Sequence, residues 1–274
     1  MKNRILLTGA TGFVGRQILQ ALLKSDIDLR LVVRTNTESR LPRTKVKVVE
    51  TTDLFKESSA WWAEACEGVD VVIHAAWYAE PGMYLQSPKN FDCLNGTLEL
   101  ANGCVKAGVH RFVGIGSCSE YDMSNGHLSI ETPLNPTTPY AEAKVACFHA
   151  LSYLLPRKGV SFSWARLFYL FGEGEDARRL VPYLREKLST GQIAELSSGT
   201  QIRDYLDVKE VGEQVANLAF VNTTGAVNIC SGYGQTVREL AEKIANEYGR
   251  PDLLRFGARP ENYFDPPCIV GIRK

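Results

Sequence analysis

Over the first two thirds of the chain, short apolar runs alternate with longer stretches whose apolar positions recur every three or four residues. The first pattern suits strands buried on both faces, the second helices with one packed side. Strands are expected at Arg4–Thr8, Leu29–Arg34, Lys47–Val49, Val69–His74, Phe112–Ser117 and Ser161–Leu167, and helices over Val14–Lys24, Trp61–Cys66, Asn90–Ala107 and Pro139–Leu155. Their alternation predicts an α/β fold, a doubly wound parallel sheet with helices on both faces. After Phe171 the pattern changes to a charged turn followed by an amphipathic helix in "GEGEDARRLVPYLREKLSTG", then "TQIRDYLDVKEVGEQVANLAF", a strand in "AVNICSG", a helix in "TVRELAEKIANEYG" and a polar tail rich in proline. The expected plan is a domain over 1–170, with 202–230 returning to it, and a small discontinuous lobe from 171–201 and 231–274.

Composition narrows the class. The 274 residues are 45% hydrophobic with a formal net charge of zero, so no basic excess points to nucleic acid or anionic lipid. Seven cysteines, odd in number and without a Cys-x-x-Cys, read as reduced thiols rather than a disulfide framework or zinc site, and no metal site is expected. "MKNRILLTGATG" enters a strand at once, leaving no room for a signal peptide, and no apolar run approaches the ~18 residues of a membrane span. A cytoplasmic protein is expected.

The candidate chemistry begins in "ILLTGATGFVGRQIL", where Gly9, Gly12 and Gly15 lie between a strand and a helix. In that context one glycine permits the turn, one lets backbone approach a pyrophosphate, and one lets helix and strand pack closely. Thr11, Phe13 and Val14 share the loop and the helix N-terminus, whose N–H groups and dipole favour phosphate. At the end of the second strand an acid would bond an adenosine 2'-hydroxyl and an arginine would accept a 2'-phosphate. Arg34 stands there, favouring NADP with NAD as the alternative; it can also be a plain surface cation. Asp53, followed by Leu54, is placed either to bond the adenine or to cap a helix.

Tyr-x-x-x-Lys, a spacing that sets both side chains on one helical face, occurs three times, at Tyr140/Lys144, Tyr183/Lys187 and Tyr205/Lys209. Asp207 reads as a helix cap, which leaves Tyr205 before the helix and Lys209 inside it. Tyr183 falls on an apolar stripe with Leu180, Leu184 and Leu188. For Tyr140, Thr138 can cap and Pro139 can start the helix, and "RFVGIGSCSEY" carries Ser117 to the carboxyl end of a strand, where such sheets bind ligands. A serine polarising a carbonyl, a tyrosine exchanging a proton and a lysine lowering the tyrosine's pKa suit hydride transfer.

Taken together, GATGFVG, the HAA of His74, Ala75 and Ala76, Ser117, YAEAK and "RLFYLFG" resemble the extended short-chain dehydrogenase/reductase family (the NAD-dependent epimerase/dehydratase group) over nearly the whole chain. The resemblance implies a Rossmann-type sheet, a nucleotide-sugar substrate and a catalytic set of Ser117, Tyr140 and Lys144, with Ala75 and Ala76 beside the cofactor. It also implies a homodimer in which the tyrosine-bearing helix and the preceding one form a four-helix bundle. Arg203, in the RDF-like "GTQIRDYLDV", and Arg259, in "GARPEN", become candidate pyrophosphate contacts, the alternative being surface ion pairs. Trp77, Tyr78 and Tyr84 either wall the sugar pocket or pack as an ordinary loop.

Departures from the family pattern sharpen the expectation. Cys118 and Ser119 stand where 4,6-dehydratases place acids, which speaks against dehydration. Glu120 comes one position later and is expected to face away from Ser117, since strand residues alternate. Cys93 replaces a frequent asparagine, Tyr169 replaces a substrate-contacting asparagine, and the chain stops at "CIVGIRK", before a final helix common in relatives. Arg34, with the likeness of "GSCSEYD" to the corresponding segment of such reductases, favours an NADPH-dependent 4-ketoreductase of a nucleotide-linked 4-keto-6-deoxyhexose. An epimerase with bound NAD and a non-catalytic NADP sensor are the alternatives.

Overall fold

The computed structural model of the chain describes residues 2–37, 41, 46–262 and 265–273; the rest of the two expected lobes lies outside the described residues. Strands β1 (Arg4–Thr8), β2 (Asp28–Arg34), β3 (Lys47–Thr51), β4 (Val71–His74), β5 (Arg111–Ser117), β7 (Ser161–Leu167) and β11 (Gly225–Ile229) form one seven-stranded sheet. Its order is β11-β7-β5-β4-β1-β2-β3, and every pairing is parallel. The strand order reverses between β1 and β4, the place where open α/β sheets leave a crevice at their carboxyl ends.

Helices α1 (Phe13–Leu22) and α6 (Val208–Asn217) cover one face, and α2 (Ser59–Ala65), α3 (Lys89–Ala107) and α4 (Pro139–Arg157) the other. Each face has its own apolar core, one around Ile5, Ile18, Leu31 and Val211, the other around Leu6, Trp62, Leu100, Phe112 and Trp164. The elements fall where the periodicity places them, with their ends moved by caps. Ser58 accepts the Trp61 N–H, so α2 begins at Ser59, two residues before the expected start. Pro156 is accommodated in the last turn of α4, which runs on to Arg157.

A second sheet joins β6 (His127–Leu128), β8 (Tyr169–Phe171), β10 (Ile202–Asp207), β12 (Gly234–Thr236) and β14 (Cys268–Gly271). Its β10 lies outside the main sheet, so of 202–230 only α6 and β11 join the main layers. Asp204, fully buried in β10, accepts N–H groups of Ser231, Gly232 and Gly271 and so ties the β11 exit to β14. Helices α5 (Leu180–Ser189) and α7 (Val237–Glu247) pack on a two-stranded ribbon of β9 (Ala194–Glu195) and β13 (Leu254–Arg255) around Leu184, Leu188, Leu240 and Ile244. No described helix is long and apolar enough to cross a membrane.

Candidate active site

The β1–α1 turn is tight enough to require its glycines. Gly9 has φ +75°, and a Cβ there would lie 2.6 Å from the Ala76 nitrogen; one on Gly15 would lie 2.0 Å from the Gly9 carbonyl oxygen. Gly12 caps α1 with extended backbone and no side chain to take up the helix's first N–H groups, which leaves them to a ligand. The cradle therefore fits a dinucleotide pyrophosphate.

The HAA segment is locked to this turn. Thr8 Oγ1 accepts the Ala76 N–H and lies 2.8 Å from His74 Nδ1, while His74 Nε2 lies 3.0 Å from Thr97 Oγ1. Because the Thr97 hydroxyl donates to the Cys93 carbonyl, it accepts from Nε2–H, and the network assigns His74 as the neutral Nε2–H tautomer. Complete burial pushes the imidazole down to about 3. Arg34 is exposed at the end of β2. Asp53 accepts the Phe55 N–H as the cap of a short turn that buries Leu54.

Ser117 ends β5 and Tyr140 and Lys144 occupy the first two turns of α4, whose start is capped by Thr138 Oγ1 with Pro139 in the first turn. Tyr140 is half-buried, with Tyr84 edge-on at 4.9 Å and Trp77 at 6.3 Å between ring centroids. Burial raises its phenol well above the ordinary tyrosine range, Tyr84 adds to this, and a hydrogen bond with Ser117 works the other way. Ser117 Oγ lies 2.7 Å from Ser119 Oγ and accepts the Ser119 N–H.

The buried Lys144 ammonium goes elsewhere than the sequence suggests. It donates to the Ile115 carbonyl at 2.7 Å and sits 3.5 Å from the centroid of Trp77, against 5.8 Å from that of Tyr140. The expected lowering of the tyrosine by the lysine is therefore not what this arrangement produces. Burial pulls the ammonium itself down to about 8. Of its three donor protons the described contacts use one, so a hydroxyl-bearing ligand fits there.

Sequence reasoning misplaced Glu120 and passed over Asn90. Glu120 lies in a helical turn after the strand, so strand alternation does not govern it, and its carboxylate folds back to accept the Ser117 N–H at 2.7 Å. The same fully buried carboxylate accepts from Trp164 Nε1 and, at 2.7 Å, from Arg166 Nε. The S-x-x-E spacing from Ser117 to Glu120 was the available signal, since it is a capping box. Asn90, also fully buried, accepts from Trp77 Nε1 and donates to the carbonyls of Tyr84 and Ser87, pinning the aromatic segment to α3. No sequence pattern marked it. Cys93 accepts the Tyr78 N–H through sulfur and anchors the same segment.

The two arginines part company. Arg203 is buried, 5.2 Å from the Tyr169 ring, and its charge acts on Cys118 next to Ser117; its carboxylate neighbour Asp265 is 3.7 Å away. Arg259 is exposed in the small lobe, stacked 4.5 Å from the Tyr183 ring. Tyr183 exchanges hydrogen bonds with the Glu195 backbone and Lys187 bonds Gln192, so that pair has structural partners of its own. Tyr205 lies in β10 and Lys209 in α6, capped by Asp207. Among the described residues no group of three or more His, Cys, Asp or Glu could hold a metal.

A parallel sheet with a glycine cradle at its switch point and a Ser/Tyr/Lys cluster at the next strand end defines a dinucleotide-dependent enzyme of the extended short-chain dehydrogenase/reductase type. The chain belongs to the NAD dependent epimerase/dehydratase family, whose sequence pattern it matches over residues 5–230. It is 21% identical over 273 residues to the dTDP-6-deoxy-L-talose 4-dehydrogenase (NAD(+)) of Aggregatibacter actinomycetemcomitans, covering 98% of this chain and 99% of that protein. It is 29% identical over 266 residues to the GDP-6-deoxy-D-mannose reductase of Pseudomonas aeruginosa, covering 90% and 80%. Its fold matches that of the Thermus thermophilus UDP-glucose 4-epimerase solved with NAD, with TM-score 0.83 and 23% identity, over 98% of this chain and 90% of that one.

Proposed function

We propose that this protein reduces the 4-keto group of a nucleotide-linked 4-keto-6-deoxyhexose with NADPH. The observation that carries the reading is the meeting of Ser117, Tyr140 and Lys144 at the end of β5. Here the phenol is held protonated and so is poised to give a proton. Bound at the Gly9–Gly15 turn, the cofactor supplies hydride. Ser117 bonds the substrate carbonyl, Tyr140 protonates the alkoxide that develops, and Lys144 turns its free donors to the nicotinamide ribose. Trp77, Tyr78, Tyr84, Ser119 and Tyr169 line the sugar side, with Arg203 on the diphosphate, while Arg259 stays stacked on Tyr183 in the small lobe. Arg34, exposed where the adenosine ribose would end, supports NADPH over NADH, and Arg34→Glu is expected to reverse that preference.

The likeness to 4-dehydrogenase and reductase relatives supports the substrate class. The pairing of α3 with α4, which exposes Phe91 and Tyr153, supports a homodimer through those helices, and the free thiols suit the cytoplasm. A second reading, epimerisation on bound NAD, draws on the family and the epimerase fold match. The test follows nicotinamide absorbance with NADPH or NADH and a panel of dTDP-, GDP- and CDP-linked 4-keto-6-deoxyhexoses. Stoichiometric NADPH consumption is expected. A new sugar isomer without consumption means an epimerase, and tight NADP binding with neither signal means a sensor.

A further inference from the structure

The catalytic serine stands on a buried ion pair that the proposed chemistry does not use. Glu120 is fully buried, and its carboxylate takes three donors: the Ser117 N–H at 2.7 Å, Trp164 Nε1 at 3.0 Å and Arg166 Nε at 2.7 Å. Arg166, equally buried, lies 4.5 Å from the Tyr121 ring and 4.6 Å from the Phe148 ring. The Trp164 indole that bonds Glu120 also has the Lys144 ammonium 5.7 Å from its centroid. We propose that Glu120 is a positioning residue, fixing the Ser117 backbone through its N–H and supplying a fixed negative charge to the Tyr140–Lys144 pair. The role rests on the Ser/Tyr/Lys reading above, although its physical test does not.

The charge acts in one direction on both partners. It favours the protonated phenol and the ammonium, the two forms that reduction needs. Arg166 from β7 is paired with Glu120 directly, and the Glu120 charge reaches Cys118 and Tyr121 of its own turn and Tyr140 and Lys144 of α4. Facing Lys144 in addition are Cys147 on α4, Cys93 on α3 and His74 on β4, whose thiols and imidazole are held neutral by burial near pH 7.

Glu120→Gln keeps the shape and an acceptor for Ser117 but removes the charge. A nitrogen-15 NMR titration of the lysine Nζ signals of the protein alone, with the Lys144 signal assigned by its loss in Lys144→Met, reads the effect without any substrate. The expected result is a Lys144 midpoint lowered by roughly half to one pH unit. With the reductase assay in hand, the alkaline limb of kcat/KM moves down alike and kcat falls while the KM of the sugar nucleotide holds. Should the single variant fail to fold, Glu120→Gln/Arg166→Met removes both charges at similar volume and gives a smaller drop. An unmoved Lys144 midpoint in a folded variant overturns the proposal, as does a loss of activity that only tracks the folded fraction. A chain inactive on every 4-keto sugar would sink the reductase reading and leave the lysine titration to decide this one.

Discussion

Two buried charges meet the end of β5 and are handled in opposite ways. On the floor, the Glu120 carboxylate has Arg166 Nε, an indole N–H and a backbone N–H, although Arg166 Nη2 itself is buried without a partner among the described residues. On the wall side, Lys144 has one carbonyl and the face of Trp77. A paired and fully bonded charge resists being broken more than it adds stability, because removing one partner strands the other. An under-bonded ammonium is a standing penalty that the fold carries, and its free donors are what a ligand's hydroxyls can use. The floor is thus built to stay fixed and the wall to receive.

The sharpest way to break this comparison is at the residue between the two. Tyr140→Phe keeps the ring against Tyr84 and Trp77 but removes the proton. Turnover is expected to fall by ~10³-fold with cofactor binding unchanged in a fluorescence titration. Next, Arg166→Met strands the Glu120 carboxylate, and urea denaturation should report a loss of about 3–5 kcal/mol.

Lys144→Met is expected to act in the other direction. The folded-state value of the ammonium, about 8, lies below its ordinary 10.5, so the unfolded chain binds the extra proton between those values. Wild-type stability therefore gains from this group as pH rises from 8 to 10.5, and below pH 8 the full penalty stands. The variant should be more stable than wild type at pH 7, by about 2–3 kcal/mol, and flatter across that pH window, while losing activity. Equal destabilisation by the Arg166 and Lys144 variants would erase the distinction between floor and wall.

The smallest effect belongs to Trp77→Leu, which removes the π face over Lys144 and the bond to Asn90. A loss of about fivefold in kcat/KM is expected from the lost π face, with about 1–2 kcal/mol of stability lost because the buried Asn90 Oδ1 is stranded.

Much of the framework was legible in the chain. Strand and helix alternation placed the main sheet because parallel strands need long apolar runs and helical crossovers. The glycine turn was legible because its backbone leaves no room for a Cβ. Among three Tyr-x-x-x-Lys pairs, capping residues and the preceding strand singled out Tyr140. Glu120 was misplaced because a residue past a strand end was read as if it were still in the strand. Asn90 escaped because its three partners are a tryptophan thirteen residues away and two backbone carbonyls, which leave no periodic trace.

Sequence alone determined what depends on local chain chemistry: the order of elements, the turn that only glycine permits, and the tyrosine and lysine set four residues apart on a capped helix. Tertiary structure decided where the charges went. The ammonium of Lys144 turned to Trp77 and Ile115 rather than to the phenol, and Glu120 turned under Ser117 to Arg166. Those choices rest on desolvation and on partners from the segment after β4, from β5 and from β7, groups far apart in the chain that come together only when the sheet is assembled.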